Sequence, residues 1–335
     1  MQIITCVGYY RTGSSAFTDL LSEFSNCGSV GNYEFRFIHD PDGIRDLEYN
    51  LIENNNRQNT SNAIKRYIRR AKILNGGIVR KGYSRYLGGA FMRYTMQYIE
   101  NITELKSEVW WHFDQQDRGA IFNFLDLLIS NIGRVLIPTS RWSLLKLMHE
   151  KSYYSAIDKD TFYNYTRKYI HDVIGALNKE KYDHIVIDQF LPPSNVNQYL
   201  YYFDENVKVI IVERDPRDIF ILEKDKYKWG NIPCKDVADF CKWYKLTRRH
   251  RDFEMWDTDR VFFIYFEDLV YKYEETKSKL SNFVGMSLDD HLLPKTKFIP
   301  DISIGGTNLK LKYPQYAEEI AVIEQELERY LYPFP

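Results

Sequence analysis

Residues 8–21 read GYYRTGSSAFTDLL, and the meaning of this stretch decides the fold. Against the phosphate-loop pattern G-x-x-x-x-G-K-[ST] it supplies Gly8, Gly13 and the hydroxyl of Ser15, but Ser14 stands where the phosphate-gripping lysine belongs. Ile3 to Val7 before it form a short apolar run, and Phe17, Leu20, Leu21 and Phe24 after it share one helical face. Strand, loop and helix in this order aim backbone N–H groups, joined by the hydroxyls of Thr12, Ser14 and Ser15, at a point where an oxyanion can be held. The loop's one cation is Arg11, displaced from the lysine position. Such a loop grips an anion but holds a nucleoside triphosphate and its magnesium poorly. A Gly/Ser-rich turn that only caps a helix is the plainer alternative.

Three further runs read as strands: 185–188 (IVID), 207–212 (VKVIIV) and 261–266 (VFFIYF). Short β-branched and aromatic runs, each followed by a helical pattern, indicate parallel strands buried on both faces. Val237, Phe240, Cys241 and Tyr244 share one helical face, as do Ile320, Ile323, Leu327 and Leu331. Residues 53–62 are a polar loop, whereas 63 to about 105 and 121–177 read as mostly helical, broken at Gly76-Gly77 and Gly88-Gly89. The expectation is one α/β domain over residues 1–335, a P-loop NTPase-like parallel sheet flanked by helices. A mostly helical insertion of about 60–177 is expected to face the acceptor.

The 335 residues carry 45 basic and 46 acidic side chains, a net charge of -1, so no bulk field draws the chain to nucleic acid or anionic membrane. Any anion site is therefore local. No apolar run is seen to reach the ~18 to 20 residues that span a bilayer, and MQIITCVGYY lacks a secretory signal pattern, so a soluble, cytoplasmic protein without a transmembrane segment is expected. Cys6, Cys27, Cys234 and Cys241 show no metal-ligand spacing and read as reduced packing residues. The 27 tyrosines suit sugar-stacking surfaces, but Asn, Ile and Lys are enriched with them, which a codon bias would also produce.

A second loop, VERDPRD, follows the run at 207–212. Asp215 suits a helix N-cap with Pro216 in the first turn, which leaves Arg214 at the strand end. Ligands of open parallel sheets bind beyond the carboxyl ends of the strands, so Arg214 and the Gly8–Ser15 loop address one crevice. Two such elements imply a ligand with two separated anionic groups.

Together these residues resemble the sulfotransferases that use 3′-phosphoadenosine 5′-phosphosulfate (PAPS), nearest in motif to the tyrosylprotein and carbohydrate enzymes. RTGSS (Arg11 to Ser15) is similar to the family's Lys/Arg-Ser-Gly-Thr-Thr, RDPRD (Arg214 to Asp218) to its Arg-Asn/Asp-Pro-x-Asp, and YFEDLV (Tyr265 to Val270) to its Tyr-Glu-Asp-Leu segment. FVGM and DQFLPPSN resemble further family segments, with Asp188 and Gln189 where a lysine is usual. The likeness covers roughly residues 1–40 and 180–335. It implies that Arg11, Thr12, Gly13, Ser14 and Ser15 hold the 5′-phosphosulfate, that Arg214 holds the 3′-phosphate, and that no metal is required. The family's serine eight residues after that arginine is here Leu222, so the second 3′-phosphate ligand must come from elsewhere, such as Lys224 or Lys226. SIGGTNLKLK stands in place of the family's nucleotide-covering loop, which makes Thr307, Asn308, Lys310 and Lys312 candidate contacts.

An acceptor hydroxyl must lose a proton to a group within hydrogen-bond reach. The resemblance points to Glu34, in GNYEFRF, with Arg36 as a possible ion-pair partner and His39 as the alternative base. Arg11 would then stabilise the bridging oxygen as it gains charge. RKGYSR (80–85) and KLTRRHR (245–251) are the densest basic runs, either acceptor-binding patches or solvated helix faces. The expected activity is sulfuryl transfer from PAPS to a hydroxyl of a carbohydrate or glycoconjugate, with a homodimer left open. The rival classes are a nucleotide or sugar kinase with a degenerate loop and a non-catalytic adenine-nucleotide-binding module.

Overall fold

The computed structural model describes residues 1–77, 81–136, 142–228 and 230–335, which leaves Arg80 of the first basic run outside the described residues. Seven strands occur among the described residues: β1 (Gln2–Gly8), β2 (Cys27–Ser29), β3 (Leu105–Ser107), β4 (Ser152–Tyr154), β5 (His184–Asp188), β6 (Val207–Glu213) and β7 (Val261–Tyr265). Five form a parallel sheet in the order β2-β5-β1-β6-β7. The apolar runs explain its centre, because β1 and β6 are buried nearly throughout and carry apolar side chains toward both faces. β1 lies at the middle, pairing Cys6 with Asp188 on one side and Gly8 with Val212 on the other. The chain runs from β1 to the β2 edge, returns through β5 and then crosses to β6 on the other side of β1, so the loops after β1, β5 and β6 meet at the switch point where ligands of this architecture bind.

Two expectations are corrected. The sheet has a fifth strand, β2, whose sequence Cys-Gly-Ser carries no apolar run and is paired on one side only. It is too short to show a period, and Gly28 is needed there because a Cβ would stand 2.5 Å from the Tyr182 ring. Phe266 does not end the last strand but opens the helix Phe266–Tyr271.

The chain divides into two compact units, residues 1–36 with 177–335, and residues 37–176, so the second unit starts at Phe37 rather than near residue 60. In the first, Phe17, Leu20 and Leu21 of the helix Ser14–Leu21 pack with Leu269, Leu280 and Val284 over the sheet. A separate apolar cluster joins Phe220, Phe240 and Tyr244 to Ile320, Ile323 and Leu327, following the helical faces legible in the sequence.

The second unit is mostly helical, with β3 and β4 as an antiparallel ribbon. Its helix Arg57–Asn75 stops at Gly76 (φ 82°), and Gly88-Gly89 separates Ser84–Leu87 from Ala90–Asn101. Part of the tyrosine content is spent in its core. Tyr67, Tyr98 and Tyr169 are buried, with hydroxyls satisfied by one another and by Thr95 and Thr166 at 2.7–3.2 Å. The expectation that no apolar run reaches bilayer length is also corrected. Gly119–Leu136 is an 18-residue helix long and apolar enough by length and composition, its apolar residues being interspersed with Asn123, Asp126, Ser130 and Asn131.

Candidate anion-binding site

The loop after β1 is built by a few tight contacts. Tyr9 N–H donates to Thr12 Oγ1 at 3.2 Å, and that oxygen lies 1.9 Å from where a Gly8 Cβ would stand. The Thr12 hydroxyl therefore closes the loop on itself, and glycine at position 8 is a steric requirement. Tyr10 (φ 73°) and Arg11 (φ 58°) are both left-handed without being glycine, a conformation held by its surroundings. Gly13 (φ 90°) ends the loop against the ring of Phe266, 2.6 Å from the position of an added Cβ. Gly13 caps the helix Ser14–Leu21 without a side-chain hydrogen bond; its carbonyl accepts Ala16 N–H at 3.0 Å, which leaves the N–H groups of Ser14 and Ser15 for an anion. Ser15 is half-buried, and no hydrogen bond engages its hydroxyl among the described residues.

Arg214, at the end of β6, reaches this loop. It is buried, with its guanidinium 4.5 Å from the centre of the Phe266 ring. Nη1 donates to the Arg11 carbonyl at 3.4 Å and Nη2 to the Gly306 carbonyl at 2.5 Å, while Nε has no partner. Arg214 thus ties the first loop to the C-terminal loop and keeps one donor in reserve. Phe266 supports both Gly13 and Arg214. Sequence reading marked YFEDLV as a motif without seeing this role, because an aromatic next to a strand carries no polar signature.

The rest of RDPRD is scaffolding. Asp215 caps its helix by accepting from Arg217 N–H at 2.9 Å, and it also receives the Arg217 guanidinium and Tyr332 N–H. Asp218 accepts from Asn308 N–H at 2.9 Å and Leu309 N–H at 2.8 Å, which fixes the C-terminal loop beside Arg214. Burial pushes the Asp218 carboxyl up to about 6 despite the nearby Arg214 charge. Glu267, which accepts Asp215 N–H at 2.9 Å, is pushed up to about 8 by the same cause, again opposed by Arg214.

The remaining predicted contacts divide. Thr307 is buried next to this loop and shares a 2.7 Å hydrogen bond with Tyr271 OH. Asn308 is left-handed (φ 49°), with a buried Oδ1 lacking a partner. Lys310 is turned to Glu324 at 2.8 Å, Lys312 to the Gly305 carbonyl and Lys224 to Glu319. Leu222, at the position of the family's serine, is buried in the cluster with Ile219 and Phe220 and has no donor to offer a phosphate. Arg11 lies 3.4 Å from Glu223 and over the Tyr227 ring at 3.9 Å. Glu223, which also accepts Gly230 N–H, was not anticipated as its partner.

KLTRRHR is solvated at Lys245 and Arg249, but its middle arginine is not part of that face. Arg248 is fully buried, making two hydrogen bonds of 2.9 and 3.1 Å to Glu213, and Arg251 adds a third at 3.1 Å. Glu213 ends β6 inside the protein, and a buried carboxylate requires this compensation.

Glu34 is exposed and paired with Arg36 at 3.2 Å. His39 belongs to the second unit. A carboxylate that sequence reading passed over lies closer to the loop. Asp188, at the carboxyl end of β5, is buried and hydrogen-bonded to Ser14, with Oδ1 unpartnered. Burial raises its pKa to about 7, Ser14 lowers it, and the charge of Glu34 adds to the rise. The neighbouring Gln189 bridges the loop, donating to Ser14 Oγ at 3.0 Å and accepting Gly8 N–H at 3.4 Å. The departure from lysine at Asp188 was the available signal.

No family model and no curated protein matches the chain. Among solved structures it is similar to sulfotransferases. Sulfotransferase STF9 from Mycobacterium avium shares 12% identity over 96% of this chain and 76% of its own, with a TM-score of 0.36. A retinol dehydratase in complex with androsterone and the inactive cofactor PAP shares 12% over 99% of this chain and 82% of its own, also at 0.36. Sulfotransferase STF1 from Mycobacterium tuberculosis H37Rv shares 10% over 92% and 76%, at 0.35. With TM-scores below 0.5 these stand as likenesses, and the functional reading rests on the site's own residues.

Proposed function

We propose that this chain is a sulfotransferase that moves a sulfuryl group from PAPS to a hydroxyl of a carbohydrate or glycoconjugate. The observation that carries the reading is the meeting of Arg214 with the lysine-less loop, Nη1 to the Arg11 carbonyl at 3.4 Å. Two anion-binding elements separated in sequence thereby face one crevice, as a ligand phosphorylated at both ends of a nucleoside requires. The chain's groups suit such a ligand: the N–H groups of Ser14 and Ser15 with the Ser15 hydroxyl at one end, and the buried, unpartnered Nε of Arg214 at the other. When bound, PAPS supplies an activated sulfuryl group and a bisphosphate leaving group.

The chain's own work is then positioning and charge stabilisation. The loop N–H groups orient the 5′ end, Arg214 anchors the 3′ end, and Arg11, released from Glu223, faces the oxygen that gains charge. Glu34 is one candidate to take the acceptor proton. Asp188 is a second, favoured by an unpartnered Oδ1 beside the loop and by a pKa of about 7, where a general base works best near neutrality.

Calorimetry with adenosine 3′,5′-bisphosphate against ATP and Mg²⁺ tests the cofactor. Binding of the bisphosphate is expected, and tight ATP binding without it would establish the kinase reading instead. Turnover of Glu34→Gln and Asp188→Asn over pH 5–9 then separates the two bases. The true base, when replaced, loses about a hundredfold or more together with the acidic limb of the profile, and the other variant keeps both.

A further inference from the structure

The helix Gly119–Leu136 is built inside out. Asp126, its one carboxylate, is buried and accepts from Gln115 Nε2 at 2.7 Å, Ser143 Oγ at 2.9 Å and Leu144 N–H at 2.5 Å. On the same face Ser130 Oγ donates to the Trp142 carbonyl at 2.9 Å, and Gly133 admits the Trp142 side chain, which a Cβ would meet at 2.2 Å. The polar and small residues therefore dock the helix onto its own unit. The apolar ones point away: Ile121 is 80% exposed, Phe124 64%, Ile132 58% and Val135 81%, with Leu125 and Leu128 between them. A contiguous apolar face of this extent on a folded unit marks an interaction surface. A bilayer-spanning role does not fit, because Asp126 and Ser130 at mid-helix are tied to groups of the same unit along one side.

At the N-terminal end of this helix lies a cavity of ≈370 Å³, lined by the cations Lys65, Arg69, Lys72, Arg118 and Lys151 and the carboxylates Asp114, Asp117 and Glu150, five charges against three. Arg118 and Met148 join the cavity to the apolar face, with Arg118 Nη1 3.8 Å from Met148 Sδ and its guanidinium 5.1 Å from the Phe122 ring. Met148 is itself half exposed. The helix N-terminus adds positive potential at the same end. The single charge exposed on the helix, Arg134, flanks the apolar face, where it would find phosphates at an anionic lipid surface.

We propose that the second unit docks on an anionic lipid surface, the helix Gly119–Leu136 lying in the plane of the interface with its apolar face in the acyl boundary and the cationic cavity receiving a phosphate headgroup. The surface is local, so the net charge of -1 does not oppose it. This proposal is independent of the sulfotransferase reading, and its test needs no turnover.

The test is co-sedimentation of the full chain with vesicles of phosphatidylcholine alone or mixed with phosphatidylglycerol, at low and high salt. Binding to the mixed vesicles that weakens with salt is expected. Leu125→Glu with Ile132→Glu should abolish it, and Lys72→Ala with Lys151→Ala should weaken it about thirtyfold, at roughly fivefold for each cation near an anionic surface. All four positions are exposed, and unchanged melting curves confirm that the variants fold. Absence of binding to the mixed vesicles overturns the proposal, as does equal binding to pure phosphatidylcholine. A dimer in light scattering that Leu125→Glu with Ile132→Glu disrupts, without lipid binding, would assign the face to a second copy instead.

Discussion

Replacing Arg214 separates a ligand-binding arginine from a structural clip. In Arg214→Ala the protein loses the 2.5 Å charge-assisted bond to the Gly306 carbonyl, about 2 kcal/mol, and the stacking on Phe266 at 4.5 Å, about 1 kcal/mol. The 3.4 Å contact to the Arg11 carbonyl is long and adds little. A stability loss of about 3 kcal/mol is thus expected whatever the ligand. If Arg214 also grips a phosphate, one further charge-assisted contact of about 2–3 kcal/mol disappears, which raises Kd for adenosine 3′,5′-bisphosphate by about 30- to 150-fold. Arg214→Lys keeps the charge without the fork and should recover part of the affinity but little of the clip. Denaturant melts give the first quantity and calorimetry below the melting transition the second. A bisphosphate affinity in Arg214→Ala within about threefold of the parent, where a lost contact should cost far more, would refute the phosphate role and leave the clip.

Three other outcomes follow from the geometry. Arg248→Met leaves the buried Glu213 with Arg251 as its remaining guanidinium partner and should destabilise by about 3–5 kcal/mol in chemical denaturation, whereas adding Glu213→Leu to it should restore most of the loss. Asp188, Asp218 and Glu267 all have pKa values raised by burial, so between about pH 4 and 8 these three carboxyls hold more protons in the folded chain than in the unfolded one, and their contribution to stability falls as pH rises. Melting temperatures measured across that range should decline, and Glu267→Gln should flatten the upper part of the slope. Gly13→Ala should cost about 2–4 kcal/mol, combining strain at φ 90° with a Cβ 2.6 Å from Phe266, and should weaken bisphosphate binding by displacing the ring under Arg214.

The sheet was legible where strands are long and apolar. β1, β5, β6 and β7 announce themselves through Ile, Val and Phe, whereas Cys27–Ser29 joins the sheet by backbone pairing alone and leaves no pattern. The anion loop and RDPRD were legible because their chemistry is local: glycines, hydroxyls and a capped turn. What was hidden depends on long-range contact. Arg248 reads as one more surface cation in KLTRRHR until Glu213 is known to end β6 beneath it. Lys310 reads as a phosphate ligand until Glu324 is seen beside it. Asp188 looked like a mere departure from a motif, and its importance comes from burial beside Ser14, which no spacing rule encodes. The helix at 119–136 was expected, but its apolar face was not, because its polar residues interrupt the run in sequence yet gather on one side in space.

The central place of β1 has a consequence for how the chain is made. Its register partners, His184 to Asp188 on one edge and Val207 to Val212 on the other, leave the ribosome long after it. At roughly 5–20 residues per second, β1 waits on the order of 10 to 40 s before either neighbour exists. During that interval Ile3, Ile4, Cys6 and Val7, all buried in the finished sheet, have no strand to pair with, while the mostly helical residues 37–176 can fold from local contacts. The nascent first strand is therefore the segment most in need of a chaperone. Recovery of soluble protein should depend more on shielding those four side chains during synthesis than on the stability of the finished fold.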